Sequence, residues 1–427
     1  MRRGSCDDIA ARMISFRAAA MVPSGTVLRP SARLVPSLTL ADVFGPGVVY
    51  VSGRSPSRPG WASTAPGFVD CQTGNQLTIA GRMPYVVSAG VVTPSALALL
   101  ADAGLPVEAD LQVYRSSAEY LELLRRLRGR GLRLATQRAH PEEEVGPAES
   151  LVRPDLQRDL NDKGRMADVV PGAWLPPRRV LAVSELPPAE DLLAGGHPVV
   201  LKVATPLPSG GGHGVWVCHS LADVEIARST LRRERFVVVE EHLRLRRTVC
   251  VHAVVLPDGT ASVTGVAEEV CSADGRWLGN WLDAEADVVP NEVLDVVLRI
   301  VRLAAARGYR GIAGIDVAFP ENGPPRILDL NFRINGSTAA AWLRAGAERK
   351  RGTVSMRLRN WAGKRSFEEM ILIARRAVER AALIPLCLYD PGACEAGGFP
   401  RLHGILTGPS REAVREEERR LIAEGLT

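Results

Sequence analysis

Carboxylate and amide side chains recur at two-residue spacing within residues 311–340. Asp316 lies in one alternating apolar run, Asp329 and Asn331 lie in the next, and residues 320–325 (Pro-Glu-Asn-Gly-Pro-Pro) separate the two runs. A segment this rich in turn residues between two alternating runs predicts a β-hairpin. Centring the turn in the middle of that segment places Asp316 directly opposite Asp329.

The two faces of this hairpin differ in character, because side chains alternate between the faces of a strand. One face is predicted to be apolar, with Ile315, Val317, Phe319, Leu328, Leu330 and Phe332. The other carries Asp316, Asp329, Asn331 and Arg333, and Gly314 lies opposite Asn331.

The polar face predicts a metal site. Opposed Cβ atoms lie about 5 Å apart, so two carboxylates there repel by roughly 3 kcal/mol at an effective dielectric constant of about 20. A hard divalent cation turns this repulsion into attraction, and the predicted donors are Asp316, Asp329 and Asn331. This oxygen-rich set suits Mg²⁺, with Mn²⁺ as a second candidate. The alternative is a solvated edge hairpin in which Arg333 pairs with an aspartate.

The chain has four lysines, at positions 163, 202, 350 and 364. Lys202 interrupts the apolar run 198–203, and a glycine-rich segment containing Gly210, Gly211 and Gly212 follows it. A buried lysine is costly without a partner, whereas glycines let backbone N–H groups approach a phosphate closely. The pattern therefore predicts phosphate binding, and a flexible hairpin loop is the alternative.

Two further segments extend this pattern. Lys163 follows Asn161-Asp162, and a Gly/Pro turn comes later in the chain. The alternative for Lys163 is an ordinary surface lysine without a ligand. An apolar strand at 236–239 ends in Glu240 and Glu241, and Leu243 comes soon after. Arginines at 244, 246 and 247 then form either a solvated basic face or an anion contact.

Taken in order, the entry lysine, strand lysine, glycine loop, glutamate hinge and Asp…Asp-x-Asn-x-Arg resemble the ATP-grasp family of ligases. The resemblance implies ATP and Mg²⁺ as cofactors. It implies that Lys163, Lys202, Gly210, Gly211 and Gly212 contact phosphates and that Glu240, Glu241 and Leu243 hold the adenine. It also implies that Asp316, Asp329 and Asn331 bind the metal and that Arg333 and Lys202 act in catalysis, with Arg333 facing an acyl phosphate.

The expected fold is α/β, of the α+β ATP-grasp type. Residues 1–150 are expected to form an N-terminal parallel-sheet domain, because strands predicted at 47–53, 84–88 and 132–136 alternate with helices. That domain is either a scaffold or a wall of the acceptor site. Residues 151–345 would form the ATP-grasp domain, with a lid at about 178–240. Residues 346–427 would form a small C-terminal α/β extension, where residues 383–393 resemble the pheganomycin-type peptide ligases.

Other local patterns give further expectations. The first 45 or so residues are poorly patterned, residues 160–163 are expected to open a helix, and residues 270–281 are expected to form a polar, glycine-rich excursion. Seven scattered cysteines predict neither a disulfide framework nor a zinc site. With 46% hydrophobic and 24% charged residues and no long apolar stretch, we expect a cytoplasmic protein without a membrane partner.

The predicted function is an ATP-dependent carboxylate–amine ligase that acts through an acyl phosphate on amino acids or peptides, in natural-product assembly. Its products would be an amide, ADP and phosphate. The net charge of +5 is mild and its basic residues are scattered, which predicts no nucleic-acid partner. Whether the chain forms a homo-oligomer stays open. The alternatives are an inactive ATP-binding regulatory or scaffold protein, and a small-molecule kinase on the same fold.

Overall fold

A computed structural model of the chain describes residues 33–57, 60–61, 65–207, 212–272, 275–363 and 365–426. Within these residues the strands of the named sheets form one parallel sheet and two antiparallel sheets. No helix in this described part of the chain has the length and apolar character needed to cross a bilayer. The predicted α/β fold class is confirmed.

The N-terminal part is built on a parallel sheet, hereafter the parallel sheet, with the order β3-β2-β1-β4. Its strands are β1 (Val48–Val51), β2 (Pro84–Ser88), β3 (Asp110–Tyr114) and β4 (Arg133–Thr136). The connecting helices are α1 (Leu40–Phe44), α2 (Phe68–Gln72), α3 (Pro94–Asp102) and α4 (Ser117–Arg128). Strand β1 is buried along its length, as a central strand covered on both faces must be.

Helix α5 (Pro154–Asn161) leads into an antiparallel sheet, hereafter the small sheet, with the order β5-β8-β6-β7. Its strands are β5 (Arg178–Ala182), β6 (Val199–Ala204), β7 (Val215–Cys218) and β8 (Phe236–Glu241). Helices α6 (Ala189–Leu192) and α7 (Leu221–Leu231) belong to the same unit, and α7 begins with a capping box at Ser220. The sheet therefore spans the segment predicted as a lid.

The third sheet, hereafter the large sheet, has eight strands in the order β13-β12-β9-β10-β11-β14-β16-β15. Its strands are β9 (Leu245–Val255), β10 (Ala261–Cys271), β11 (Trp277–Asp283), β12 (Gly311–Pro320), β13 (Arg326–Asn331), β14 (Ser355–Ala362), β15 (Leu383–Tyr389) and β16 (Arg401–Gly408). Its helices are α8 (Asn291–Ala306), α9 (Thr338–Arg351), α10 (Phe367–Glu379) and α11 (Arg411–Ala423). Strands β14 to β16 thus continue the sheet that carries the acidic hairpin.

Short 3₁₀ helices occur between these elements. They are Leu77–Ile79, Ala89–Val91, Lys163–Asp168, Gly172–Trp174, Val183–Glu185 and Pro391–Ala393.

The two faces of the large sheet bury separate cores. One face packs against α8, whose apolar stripe meets β9 and β12 through residues such as Val297, Ile300 and Ile315. The other face packs against the N-terminal part, where Tyr50 and Tyr85 share a core with Trp342 of α9. The parallel sheet therefore lies beside the polar face of the acidic hairpin.

The hairpin pairing was predicted correctly near the carboxylates and wrongly near the turn. Gly314 pairs with Asn331 and Asp316 with Asp329, but Val317 then pairs with Ile327 because Leu328 is an extra residue in β13. This is a β-bulge, which shifts the alternation of side chains by one position. Ile327 rather than Leu328 consequently occupies the apolar core.

The helix expected to open at residues 160–163 is confirmed, as a 3₁₀ helix that starts where α5 ends and in which the Asp162 carboxylate accepts from the Gly164 N–H at 2.8 Å. Another local expectation was wrong. Residues 270–281 belong largely to β10 and β11, which pair through Glu269 and Asn280. The glycines that suggested an excursion lie at the bulge and the turn of this hairpin.

Candidate active site

The predicted metal-binding side chains lie together on β12 and β13. Asp316 and Asp329 are directly opposed, and the Asn331 amide donates to Asp316 Oδ2 at 2.9 Å. The guanidinium of Arg333 donates to Asn331 Oδ1. A single polar chain therefore runs from Arg333 through the amide to the first carboxylate.

The two carboxylates are electrostatically unequal. Burial and the charge of Asp329 raise the pKa of Asp316 to about 7. Burial also acts to raise the pKa of Asp329, but the nearby ammonium groups, Lys163 above all, lower it below its ordinary value. Lys163 Nζ lies 2.5 Å from Asp329 Oδ2. Asp329 is therefore the charged member of the pair, and Asp316 gains most from an added cation.

This donor set fits a hard divalent cation. In the residues that the structure describes, no group of three or more His, Cys, Asp or Glu side chains is arranged to hold a metal ion. Two carboxylates and one amide leave coordination positions for phosphate oxygens and water, which is how Mg²⁺ is ordinarily bound in nucleotide sites. Burial first and the charge of Asp329 second raise the pKa of Asp316, and a bound cation would oppose both effects.

Contacts of the backbone around Lys163 position its side chain beside Asp329. The Asp162 cap fixes the start of the 3₁₀ helix, and Arg178 at the start of β5 donates to the Lys163 carbonyl oxygen. The Lys163 side chain is only 7% exposed, so its ion pair with Asp329 is largely shielded from water. Lys163 is therefore not the plain surface lysine that the sequence left open.

A second buried ion-pair group surrounds Glu240 at the end of β8. Lys202 pairs with Glu240 Oε2, and Arg178 Nη1 lies 3.3 Å from Glu240 Oε1. Burial lowers the pKa of Lys202, while Glu240 acts in the opposite direction. Glu240 is only 2% exposed, so its carboxylate is occupied by these two cations, and its backbone pairs with both β5 and β6.

The remaining nucleotide residues border this group. Glu241, the last residue of β8, is exposed and Leu243 just beyond it is partly exposed, so a purine edge could be held there. Gly212 has a φ of 84°, and a Cβ there would lie 2.9 Å from the Gly275 carbonyl oxygen. The predicted phosphate contacts Gly210 and Gly211 lie outside the described residues. All these assignments stay predictions.

Arg333 lies where the large sheet meets the parallel sheet. Its Nε is buried without a hydrogen-bond partner in the described structure. The next residue, Ile334, accepts through its carbonyl oxygen from Gln137 Nε2 at 2.5 Å, and Tyr50 OH donates to Gln137 Oε1 at 2.8 Å. The N-terminal part thus contacts the edge of the large sheet that carries the predicted site.

Sequence reasoning missed Glu269. It lies on β10 beyond Ala267, which pairs with Cys250 of β9, and Cys250 in turn pairs with Asp316. Burial and the charges of Asp316 and Asp329 raise the pKa of Glu269 well above its ordinary value. Alternation along β10 is the signal that finds this residue, because Glu269 lies two positions beyond Ala267 and so on the same face of the strand.

Comparison with known proteins identifies this arrangement. The family model "L-aspartate--L-methionine ligase N-terminal domain" matches residues 39–158, and "L-aspartate--L-methionine ligase, ATP grasp" matches residues 176–331. The chain belongs to the ATP-grasp ligases. The prediction of an ATP-dependent ligase that forms peptide bonds is confirmed by this membership. The finer resemblance to pheganomycin-type ligases stays a prediction.

Solved structures of several ATP-grasp ligases share the fold. An ADP complex of N5-carboxyaminoimidazole ribonucleotide synthetase aligns with a TM-score of 0.56 at 15% identity, covering 88% of this chain and 95% of that one. The Aspergillus clavatus carboxyaminoimidazole ribonucleotide synthase bound to ATP gives 0.54 at 16% identity, with 88% and 97% covered. The L-amino acid ligase of Bacillus licheniformis gives 0.51 at 11% identity, with 89% and 98% covered.

Proposed function

We propose that this ligase activates the carboxylate of one amino acid as an acyl phosphate, using ATP, and passes the acyl group to the amine of a second. The reaction would release ADP and phosphate and form an amide. The observation that supports this most is the meeting of two buried lysines, an opposed carboxylate pair and Arg333 at one edge of the large sheet.

Each of these residues would contribute through its charge. Lys163 and Lys202 would place positive charge along the phosphates, while Glu240 and Asp329 keep both ammonium groups in position. Asp316, Asp329 and Asn331 would hold Mg²⁺, which when bound neutralises phosphate charge. Such positioning and charge stabilisation account for most of the catalysis of phosphoryl transfer.

Arg333 would act on the acyl group. Its guanidinium adjoins the metal-binding amide, so a carboxylate next to the terminal phosphate of ATP would lie beside it. Its unpartnered Nε would donate to the carboxylate as it is positioned for attack on the phosphate, and then to the negative oxygen that develops on the acyl carbon when the amine attacks and phosphate leaves. Glu240, Glu241 and Leu243 would border the adenine, and Gly210, Gly211 and Gly212 the phosphates.

The family description suggests the substrates. The matching models describe a ligase of L-aspartate and L-methionine. We infer that the carboxylate donor is a small acidic amino acid and that the amine comes from an apolar one. The alternatives of an inactive binding protein and a kinase are not favoured, because the metal pair, both lysines and Arg333 are all in place.

The test is turnover by the full chain with Mg·ATP, L-aspartate and L-methionine. We expect ADP and phosphate in equal amounts, together with a dipeptide identified by mass, and loss of all three in Asp329→Asn and Arg333→Ala. A stable phosphorylated amino acid without free phosphate would instead indicate a kinase. ATP binding without turnover on any pool of acids and amines would overturn the ligase proposal.

Asp295→Asn is the matched control. Asp295 lies exposed on α8, away from the hairpin, so the same chemical change there should leave turnover unchanged. Equal losses of turnover in this variant and in Asp329→Asn would mean that the assay measures a loss of folded protein rather than an effect on the site.

A further inference from the structure

The carboxyl ends of β1 and β4 form a second polar region, next to Arg333. In the order β3-β2-β1-β4, the chain leaves β1 toward β2 on one side, while β4 lies on the other side. The gap between β1 and β4 is therefore a topological switch point, the place where open parallel sheets bind ligands. Arg54 follows β1 and Arg138 follows β4, so each strand delivers one arginine to this gap.

Hydrogen bonds hold this region against the edge of the large sheet that carries Arg333. The Gln137 N–H donates to the Val51 carbonyl oxygen at 3.0 Å, which holds the two strand ends together. The Gln137 side chain donates to the carbonyl oxygen of Ile334 at 2.5 Å. Arg138 and Arg333 are the immediate chain neighbours of these two bonded residues, so the switch point opens toward the acyl end of the active site.

Arg54 and Arg333 have unused hydrogen-bonding capacity. Arg54 Nη2 donates to Gln72 Oε1 at 2.7 Å, but Arg54 Nη1 is buried without a partner in the described structure, as is Arg333 Nε. A buried charged donor without a partner is costly, and arginine cannot shed its proton to escape that cost. An anion between these groups would satisfy them.

The charges around the gap favour the same conclusion. Burial lowers the pKa of Arg54 to about 10, and the charge of Arg333 acts in the same direction. Burial likewise lowers the pKa of Arg138, with Arg333 and Arg54 adding to it and Asp329 opposing it. Three partly buried cations that repel one another form a site that an anionic ligand would stabilise.

We propose that Arg54 and Arg138 bind the second carboxylate of a dicarboxylic amino acid, while Arg333 faces the carboxylate that is activated. The inference rests on the proposed function and assigns it a specificity site. A planar guanidinium matches a planar carboxylate in two hydrogen bonds, so a pair of arginines distinguishes an acid side chain from its amide. The N-terminal part is then a wall of the substrate site rather than a scaffold alone.

The test compares L-aspartate with L-asparagine, which has the same shape without the charge. In turnover with Mg·ATP and L-methionine, Arg54→Met and Arg138→Met should each raise the KM for aspartate by roughly tenfold or more, the loss expected of one charge-assisted hydrogen bond. The KM for ATP should not change, and the preference for aspartate over asparagine should shrink. Arg54→Lys should recover part of that preference.

Calorimetric titration of L-aspartate into the full chain with Mg·ADP tests the subsite without turnover. Wild type should bind aspartate, both methionine variants should bind it at least tenfold more weakly, and Arg130→Gln, an exposed arginine of the same domain, should bind like wild type. If the wild-type protein bound aspartate but showed no turnover, the proposed function would be rejected and the subsite would still be supported.

Other outcomes would overturn the subsite. An unchanged aspartate preference in both methionine variants would reject it, even if turnover fell, because that pattern would mean that the arginines contact phosphate. A wild-type enzyme that turns over but shows no preference for an acidic donor would reject it as well.

Discussion

The Lys202 ammonium donates a hydrogen bond to the Leu328 carbonyl oxygen, 3.1 Å away. Lys202 belongs to β6 of the small sheet, and Leu328 is the bulge residue of β13, next to Asp329. The same ammonium pairs with Glu240 on β8. One side chain thus joins the strand that precedes the glycine-rich loop to the strand that carries Asp329, a proposed metal ligand.

Lys202→Met should therefore reduce both stability and activity. The variant leaves Glu240 buried with only Arg178 beside it among the described ion pairs, at a cost of about 2–3 kcal/mol in the free energy of unfolding. Glu240→Gln added to this variant removes the unpaired charge. We expect urea unfolding to show most of the stability restored in the double variant, with turnover still absent.

The partly exposed Lys350 offers the control, since Lys350→Met makes the same change far from the site. If the double variant recovered turnover along with stability, Lys202 would be a structural residue only.

Divalent metal should be required for nucleotide binding to stabilise the fold. ADP with Mg²⁺ or Mn²⁺ should raise Tm, because a ligand bound only to the native state stabilises it by mass action. ADP with a chelator should give a much smaller rise, since Asp316 and Asp329 then repel the phosphates. In Asp316→Asn the difference between the two conditions should shrink. Equal stabilisation by ADP with and without metal would contradict the assignment of the carboxylate pair.

The hairpin shows how far sequence reasoning reaches. A turn-rich segment between two alternating runs was enough to pair Asp316 with Asp329, because alternation and register determine each other in a regular ladder. The bulge at Leu328 has no signature in residue type, since Ile327 and Leu328 are both apolar. Tertiary packing chooses between them, and only the structure reveals that the Leu328 backbone turns toward Lys202.

Residues contributed by separate elements were harder to find. Lys163 and Lys202 stood out because lysine is rare in this chain, and motif order linked them to the hairpin. Arg54 and Arg138 are two among many arginines, and nothing local marks them. Their significance comes from the order of the parallel sheet, in which β2 and β4 lie on opposite sides of β1, and strand prediction alone does not give that order.

Gly314→Ala should damage the site by displacing its support. A Cβ at this position would lie 1.6 Å from Asn335 Nδ2 and 2.9 Å from Cys250 Sγ. Asn335 Oδ1 accepts from Thr338 at the start of α9 at 2.6 Å, so its movement disturbs the loop that follows Arg333. We expect a loss of about 1–3 kcal/mol in the free energy of unfolding and a larger fractional loss of kcat than of ATP affinity.

Gly172→Ala is the comparison, because a Cβ there meets nothing within 4 Å and the backbone is not left-handed. Gly172→Ala should leave both the free energy of unfolding and kcat close to wild type. A Gly314→Ala enzyme with full activity would show that Asn335 can move without affecting Arg333.

Acid should destabilise the protein through two buried histidines of the large sheet. Burial lowers the pKa of His252 from 6.5 to about 4 and that of His403 from 6.5 to about 3. The unfolded chain therefore takes up protons first as the pH falls below 6.5, and the stability that these groups contribute is lost progressively toward pH 3–4. At pH 5 the loss is about 2 kcal/mol for each histidine.

His403→Leu should remove one of these contributions. Neither ring nitrogen of His403 has a hydrogen-bond partner in the described structure, so the replacement sacrifices no bond. Urea unfolding at pH 7.5 and pH 5 should show a smaller difference between the two pH values in this variant than in wild type. The exposed His197 gives the control, since His197→Leu should keep the wild-type difference. An unchanged difference in His403→Leu would mean that the acid sensitivity arises elsewhere in the chain.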